Sequence, residues 1–224
     1  MDEGPRPRPQ NLLAQPRHLV RANVVPVQWR AEVRQVLITE MQLRRRVSEL
    51  ARAITRDYVG KDLTIAALLT GTVMFMADLL RHLRLPLRLD FIGVSSYRDG
   101  TDAGRLRYTK DLRLEIKGRD VLLVDDILDT GRTLACVQAR LQQLQPRSLR
   151  TCVLLDKPAR RTTRVPVDYV GFLIPDVFVV GYGLDFAERY RNLPFVGVLC
   201  PEVAPPSLPD RPAGVAPSAA GWNP

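Results

Sequence analysis

The sequence predicts an α/β fold in which a parallel sheet carries helices on both faces. Three observations predict it. Short continuous apolar runs such as LTIAALL (63–69) suit strands that are covered on both sides. Other segments repeat apolar residues at three- and four-residue spacing, as amphipathic helices do. The two kinds of segment alternate along the chain, which is the pattern of a sheet wrapped by crossover helices.

In chain order, Ala31 to Val59 reads as a helix, because Val33, Val36, Leu37, Met41, Leu43, Val47, Leu50 and Ile54 keep helical spacing. LTIAALL then forms a strand that ends at Thr70-Gly71-Thr72, and MFMADLLRHL follows as a helix. LRLDFIGVSSY (87–97) is the next strand, and SYRDGTDAGRLRYTK (96–110) is a long polar loop. LEIKGRD leads to the buried strand VLLV (121–124), and beyond its turn Leu134, Val137, Leu141 and Leu144 mark a helix. LRTCVLLD (149–156) is another strand, VDYVGFLI and FVVGYGLD follow, and FVGVL closes the core.

The chain has 224 residues, 46% hydrophobic and 25% charged, enough for one good core. Residues 1–28 contain five of the eighteen prolines, and residues 201–224 read PEVAPPSLPDRPAGVAPSAAGWNP. Such compositions bury too little apolar surface to offset ordering entropy, so both are expected to be disordered tails around a domain of residues 29–200. No apolar run has the roughly 20 residues of a membrane span. The start, MDEGPRPRPQ, lacks the apolar stretch of a secretory signal, which points to the cytoplasm.

Cys136, Cys152 and Cys200 are widely spaced and never paired as C-x-x-C, so they suggest neither a disulfide framework nor a zinc site. Of the two histidines, His18 lies in the leader and His82 in a helical pattern that suits a structural role. Chemistry must therefore rest on carboxylates, lysine, arginine and backbone amides. The net charge of +9 favours anionic partners, although a cluster such as Arg44-Arg45-Arg46 on a helix reads first as a solvated face.

The informative stretch is VLLVDDILDTGRTL (121–134). In a parallel sheet, ligands gather at the carboxyl ends of the strands, where Asp125 and Asp126 stand. The following Thr130-Gly131-Arg132-Thr133 turn can aim amides and hydroxyls at one anion, and the helix it opens adds positive partial charge. That is a phosphate cradle. Two carboxylates beside it would repel a bare phosphate, so they need vicinal sugar hydroxyls or a divalent cation as partners. A ribose 5-phosphate satisfies both halves. No G-x-x-x-x-G-K-[ST] loop occurs, and Gly181-Tyr182-Gly183 lacks the context of a dinucleotide fingerprint. Helix capping alone would account for Asp129 but not for the whole array.

This stretch resembles the phosphoribosyl diphosphate (PRPP) binding motif of the type I phosphoribosyltransferases. Residues 30–200 are similar to the hypoxanthine-guanine branch through LLTGTVMFMADLL, LDFIGVSSY, VDDILDTGRT, LLDKP and VDYVGFLIPDVFVVGYGLDFAERYRNLP, in that order. The resemblance implies a parallel-sheet fold with a small hood, and a purine-salvage enzyme that joins hypoxanthine or guanine to the phosphoribosyl group of PRPP. Diphosphate is released and IMP or GMP is formed.

By the same resemblance, Asp125 and Asp126 hold the ribose hydroxyls directly or through Mg²⁺, and Asp129, Thr130, Gly131, Arg132 and Thr133 hold the 5-phosphate. Asp129 is the general base at purine N7. Lys157 donates to purine O6, and Phe178 stacks on the base beside Val179. Asp185 contacts metal, while Arg191 and the Thr70-Gly71 backbone meet diphosphate. Many relatives carry lysine where Thr70 stands. Ser96 and Tyr97 belong to a lid over the reacting centre. A donor fixed opposite O6 would meet another donor in adenine, which favours 6-oxopurines. Homo-oligomers, dimers or tetramers, are usual in the family, and neither a membrane nor a specific nucleic acid is an expected partner. An alternative reading is an RNA-binding regulator on the same fold, similar to the pyrimidine-operon attenuators.

Overall fold

Val33–Ile38 is a strand, β1, and not the opening of a helix. Val33, Val36 and Leu37 mimic helical spacing, but the chain pairs here with a segment far away in sequence. The helix α1 starts later, at Glu40–Tyr58, where Thr39 accepts from the Gln42 amide and the Gln42 side chain accepts from the Thr39 amide. This capping box satisfies two orphan donors and sets the boundary. Met41 falls in the first turn and is 78% exposed, so it does not join the apolar face.

The computed structural model describes residues 24–96, 106–200 and 202–203. Most of the two expected tails and the expected lid residue Tyr97 lie outside these. After α1 come strand β2 (Leu63–Leu69), helix α2 (Val73–His82) and strand β3 (Leu87–Ser96). Leu106–Lys110 is a further strand, β4, antiparallel to β3, where the sequence suggested only loop. It is an edge strand, and its polar side chains on both faces hid it. Strand β5 (Asp120–Leu128), helix α3 (Arg132–Gln143), strand β6 (Ser148–Asp156) and strand β7 (Tyr169–Leu173) complete a six-stranded sheet of order β4-β3-β2-β5-β6-β7. Every neighbour pair in it but β3–β4 is parallel. Strands β8 (Val179–Val180) and β9 (Val196–Leu199) join β1 in a small antiparallel sheet of order β1-β9-β8, which is the hood.

The faces of the sheet separate as strand alternation requires. Ile65 and Ala67 pack with Leu43, Val47 and Ile54 of α1 and with Phe75 and Leu79 of α2, whereas Ala66 and Leu68 pack with Leu134, Val137 and Leu141 of α3. Each buried valine, leucine or isoleucine among these contributes about 2 kcal/mol. Leu144, expected to extend the α3 stripe, lies past the helix and is 45% exposed. The hood has its own cluster, in which Val33, Val36, Val180, Leu193 and Leu199 are buried. Arg46 belongs to the architecture and not to a free basic face: its guanidinium donates to the carbonyls of Val170 and Gly171, each at 2.8 Å. The neighbouring Arg44 and Arg45 pair with Glu40 and Glu49 on the helix surface. No helix among the described residues is long and apolar enough to cross a membrane.

Candidate active site

The chain runs from β2 to β3 on one side and returns to β5 on the other, so the loops after β2 and β5 part above the sheet. This is the crevice in which open α/β sheets bind ligands. Asp125 and Asp126 end β5 there. Asp125 is buried, its Oδ1 accepts from the Asp126 amide at 3.0 Å, and Asp126 Oδ1 accepts from the Ile127 amide at the same distance. Burial pushes both carboxyls above the usual range, and for Asp125 the neighbouring Asp126 charge adds to the effect. Such a pair is poised for hydroxyl donors or a cation.

Thr130 to Thr133 form the turn after β5 and the start of α3. Thr130 presents its carbonyl to the amides of Thr162 and Thr163, each at 3.0 Å, which ties the turn to the segment after β6. Gly131 takes φ 89° as N-cap and has no side chain to cap α3; the Arg132 amide makes one long contact to Thr130 Oγ1 at 3.5 Å. A helix start whose N-cap offers no side-chain oxygen leaves first-turn amides that an anion can use.

The loop after β2 closes the other wall. A Cβ on Gly71 would coincide with the Asp126 carboxylate, so the loop backbone lies directly against that side chain. A Cβ on Gly183, at φ 102°, would coincide with the Gly71 carbonyl, which brings the segment after β8 onto the same loop. Thr70 is exposed at its tip, and Thr72 anchors it by donating to the Leu68 carbonyl. Arg191 donates to the Gly183 carbonyl at 2.9 Å and pairs with Asp185 at 2.9 Å and Glu188 at 3.0 Å. The expected metal contact and the expected diphosphate contact are thus paired with each other. Among the described residues no group of three or more carboxylate, histidine or cysteine side chains is arranged to hold a metal ion. Asp125 and Asp126 still suit Mg²⁺, which takes one or two protein carboxylates and completes its shell with substrate phosphates and water.

Lys157 follows β6 and is 5% exposed. Burial pushes its ammonium below the usual lysine range, against the opposing pull of Asp129 and Asp176. Among the described residues its Nζ makes no hydrogen bond or ion pair, so a largely buried side chain carries an ammonium that is available to an acceptor. Asp129 Oδ1 lies 3.1 Å from Arg160 Nε without a hydrogen bond, and Arg160 also reaches Asp176 at 3.7 Å. Arg161 donates to the Asp129 and Leu128 carbonyls and pairs with Asp156, fixing the backbone of the turn. Phe178 is 41% exposed, with its ring edge-on to Phe186 at 5.6 Å, while Val179 is buried in β8. Ser96 ends β3, where its backbone pairs with Leu106. Arg160, Arg161, Asp176 and Gly183 were missed by sequence reasoning; only the cation run after Lys157 hinted at the first two.

A family model for the phosphoribosyl transferase domain matches residues 37–187. The chain belongs to the phosphoribosyltransferase family, within its hypoxanthine-guanine branch. It is 49% identical over 166 residues to a hypoxanthine phosphoribosyltransferase of Salmonella typhimurium, covering 73% of this chain and 93% of that protein. A crystal structure of a Staphylococcus aureus hypoxanthine phosphoribosyltransferase is 45% identical and superposes with a TM-score of 0.75, covering 80% of this chain and 97% of that one. The bifunctional protein TilS/HprT of Listeria innocua is 44% identical over 173 residues, which are 77% of this chain, and the match spans only 27% of that longer protein.

Proposed function

We propose that this chain transfers the 5-phosphoribosyl group of PRPP to hypoxanthine or guanine, forming IMP or GMP and diphosphate in purine salvage. One observation carries the reading above others. A carboxylate pair, Asp125 buried and Asp126 half-buried, stands beside the start of α3, and one strand further on the largely buried Lys157 makes no hydrogen bond or ion pair among the described residues. The first half suits a ribose 5-phosphate and the second a 6-oxopurine.

In this reading Asp125 and Asp126 accept hydrogen bonds from the ribose hydroxyls, and the amides and hydroxyls of residues 129–133 take the 5-phosphate. The Thr70-Gly71 backbone and Arg191 receive the diphosphate. As the purine nitrogen bonds to C1, the C1–oxygen bond to diphosphate breaks and Asp129 accepts the proton from N7. Arg160 holds that carboxylate until the purine replaces it. Lys157 donates to O6, and Phe178 stacks on the base beside Val179. Ser96 and Tyr97 close over the centre, because a cationic sugar must be shielded from water. Magnesium, when bound at the Asp125, Asp126 and Asp185 carboxylates and the substrate, supplies charge neutralisation for the departing diphosphate. The enzyme works in the cytoplasm as a dimer or tetramer, with no membrane or specific nucleic acid as partner.

The test is nucleotide formation from PRPP and Mg²⁺ with hypoxanthine, guanine, xanthine, adenine and uracil in parallel. Product from the 6-oxopurines alone is expected. Turnover of uracil would move the chain toward the attenuators, and no product from any base would overturn the proposal. Sedimentation of the purified chain reads the assembly.

A further inference from the structure

We infer that Tyr182 and Asp78 form a strut that positions the diphosphate loop, an inference that rests on the reading of Thr70-Gly71 above. The Tyr182 hydroxyl donates to Asp78 Oδ2 at 2.6 Å, and the other Asp78 oxygen is held by Arg81. Asp78 lies on α2, the helix that the diphosphate loop opens into. Tyr182 lies between the hood strand β8 and Gly183, whose φ of 102° allows its backbone to press on the Gly71 carbonyl. One short segment therefore touches the loop at Gly71 and grips the following helix at Asp78.

Three features mark the pair as more than packing. Tyr182 is 5% exposed and holds φ 51°, a left-handed conformation that a tyrosine adopts only when its surroundings over-determine it. Its phenol is pushed well above the ordinary range, first by burial and then by the Asp78 carboxylate, so it stays protonated and donating. The residue beyond it binds Arg191 twice: the Gly183 carbonyl accepts from the guanidinium at 2.9 Å, and its amide donates to the Arg191 carbonyl at 2.9 Å. Gly71 in turn lies against Asp126. The strut thus sets the spacing among the loop amides, Arg191 and the β5 carboxylates, all on the PRPP side of the site. Among the described residues neither side chain forms a hydrogen bond or ion pair with Lys157 or Asp129 on the purine side.

The consequence is a split between substrates. Tyr182→Phe removes one oxygen and keeps the ring, so it should raise the KM for PRPP about tenfold, the scale of one charge-assisted hydrogen bond. The KM for hypoxanthine should stay within about twofold. Asp78→Ala should match Tyr182→Phe, the double variant should be no worse than either, and Asp78→Asn, which keeps an acceptor oxygen, should restore most of the PRPP affinity. Gly71→Ala is the reference, because its Cβ would displace the loop itself and must weaken PRPP binding. Equal rises in both KM values, or an unchanged PRPP KM in Tyr182→Phe while Gly71→Ala is impaired, would overturn the strut. An unchanged PRPP KM in Gly71→Ala would instead remove the loop from diphosphate binding, and the strut with it.

Discussion

Asp125 and Asp126 illustrate how a residue can be placed for a ligand at a cost to the empty fold. A carboxyl whose folded pKa is raised holds its proton more tightly in the folded state. Its stabilising contribution is complete below the unfolded value near ~4 and is lost as pH rises through the raised folded value. Both carboxyls are raised, so the unliganded chain is penalised at neutral pH. Asp125→Asn keeps an acceptor for the Asp126 amide and removes the charge. It should raise the thermal midpoint at neutral pH, gain little in mild acid, and lose PRPP binding; a lower midpoint at neutral pH would contradict this account. Asp129 Oδ1 accepts no hydrogen bond and lies 3.1 Å from Arg160 Nε. Asp129→Asn should lower kcat by about 10²–10⁴, the range of a lost general base, while IMP binds with nearly its former affinity. Unchanged turnover in steady-state assays would remove Asp129 from that role.

At the level of elements, local chemistry and distant pairing divide what could be read from the sequence. β2 was legible because six of its seven residues are apolar and leave no other burial, and the turn 130–133 drew attention because its residue types fit an anion. β1 was not, since its pairing with β9 joins Val33 to Leu199, and nothing near Val33 records that partner. The Tyr182–Asp78 bond spans 104 positions and was equally invisible, although both residues stood in segments that carried the family resemblance. The α1 boundary was written in the sequence all along, as Thr39 with Gln42 three residues on, but the helical spacing upstream obscured it. Thr39→Ala should destabilise the chain by about 1 kcal/mol, measured as a shifted denaturation midpoint with activity retained.

For the whole molecule, the net charge of +9 is largely occupied where it is densest. Arg44 and Arg45 pair on the surface of α1, and Arg46 is spent on Val170 and Gly171. Binding to RNA should therefore be indifferent to sequence and should vanish steeply as salt rises, which a titration at two ionic strengths checks. The hood has a further effect on how the domain can be used. Its strand pairing sets Val33 opposite Leu199, and the Cys200 amide donates to the Glu32 carbonyl at 2.8 Å. The first strand of the described fold and its last therefore lie side by side, about 4.8 Å apart from strand to strand, with Val25 and Trp29 before them and Val203 after them packed in the same hood cluster. A short linker joining the segments that flank this pair should therefore allow a circular permutant that keeps the strand order of both sheets, provided that Val25, Trp29 and Val203 are retained.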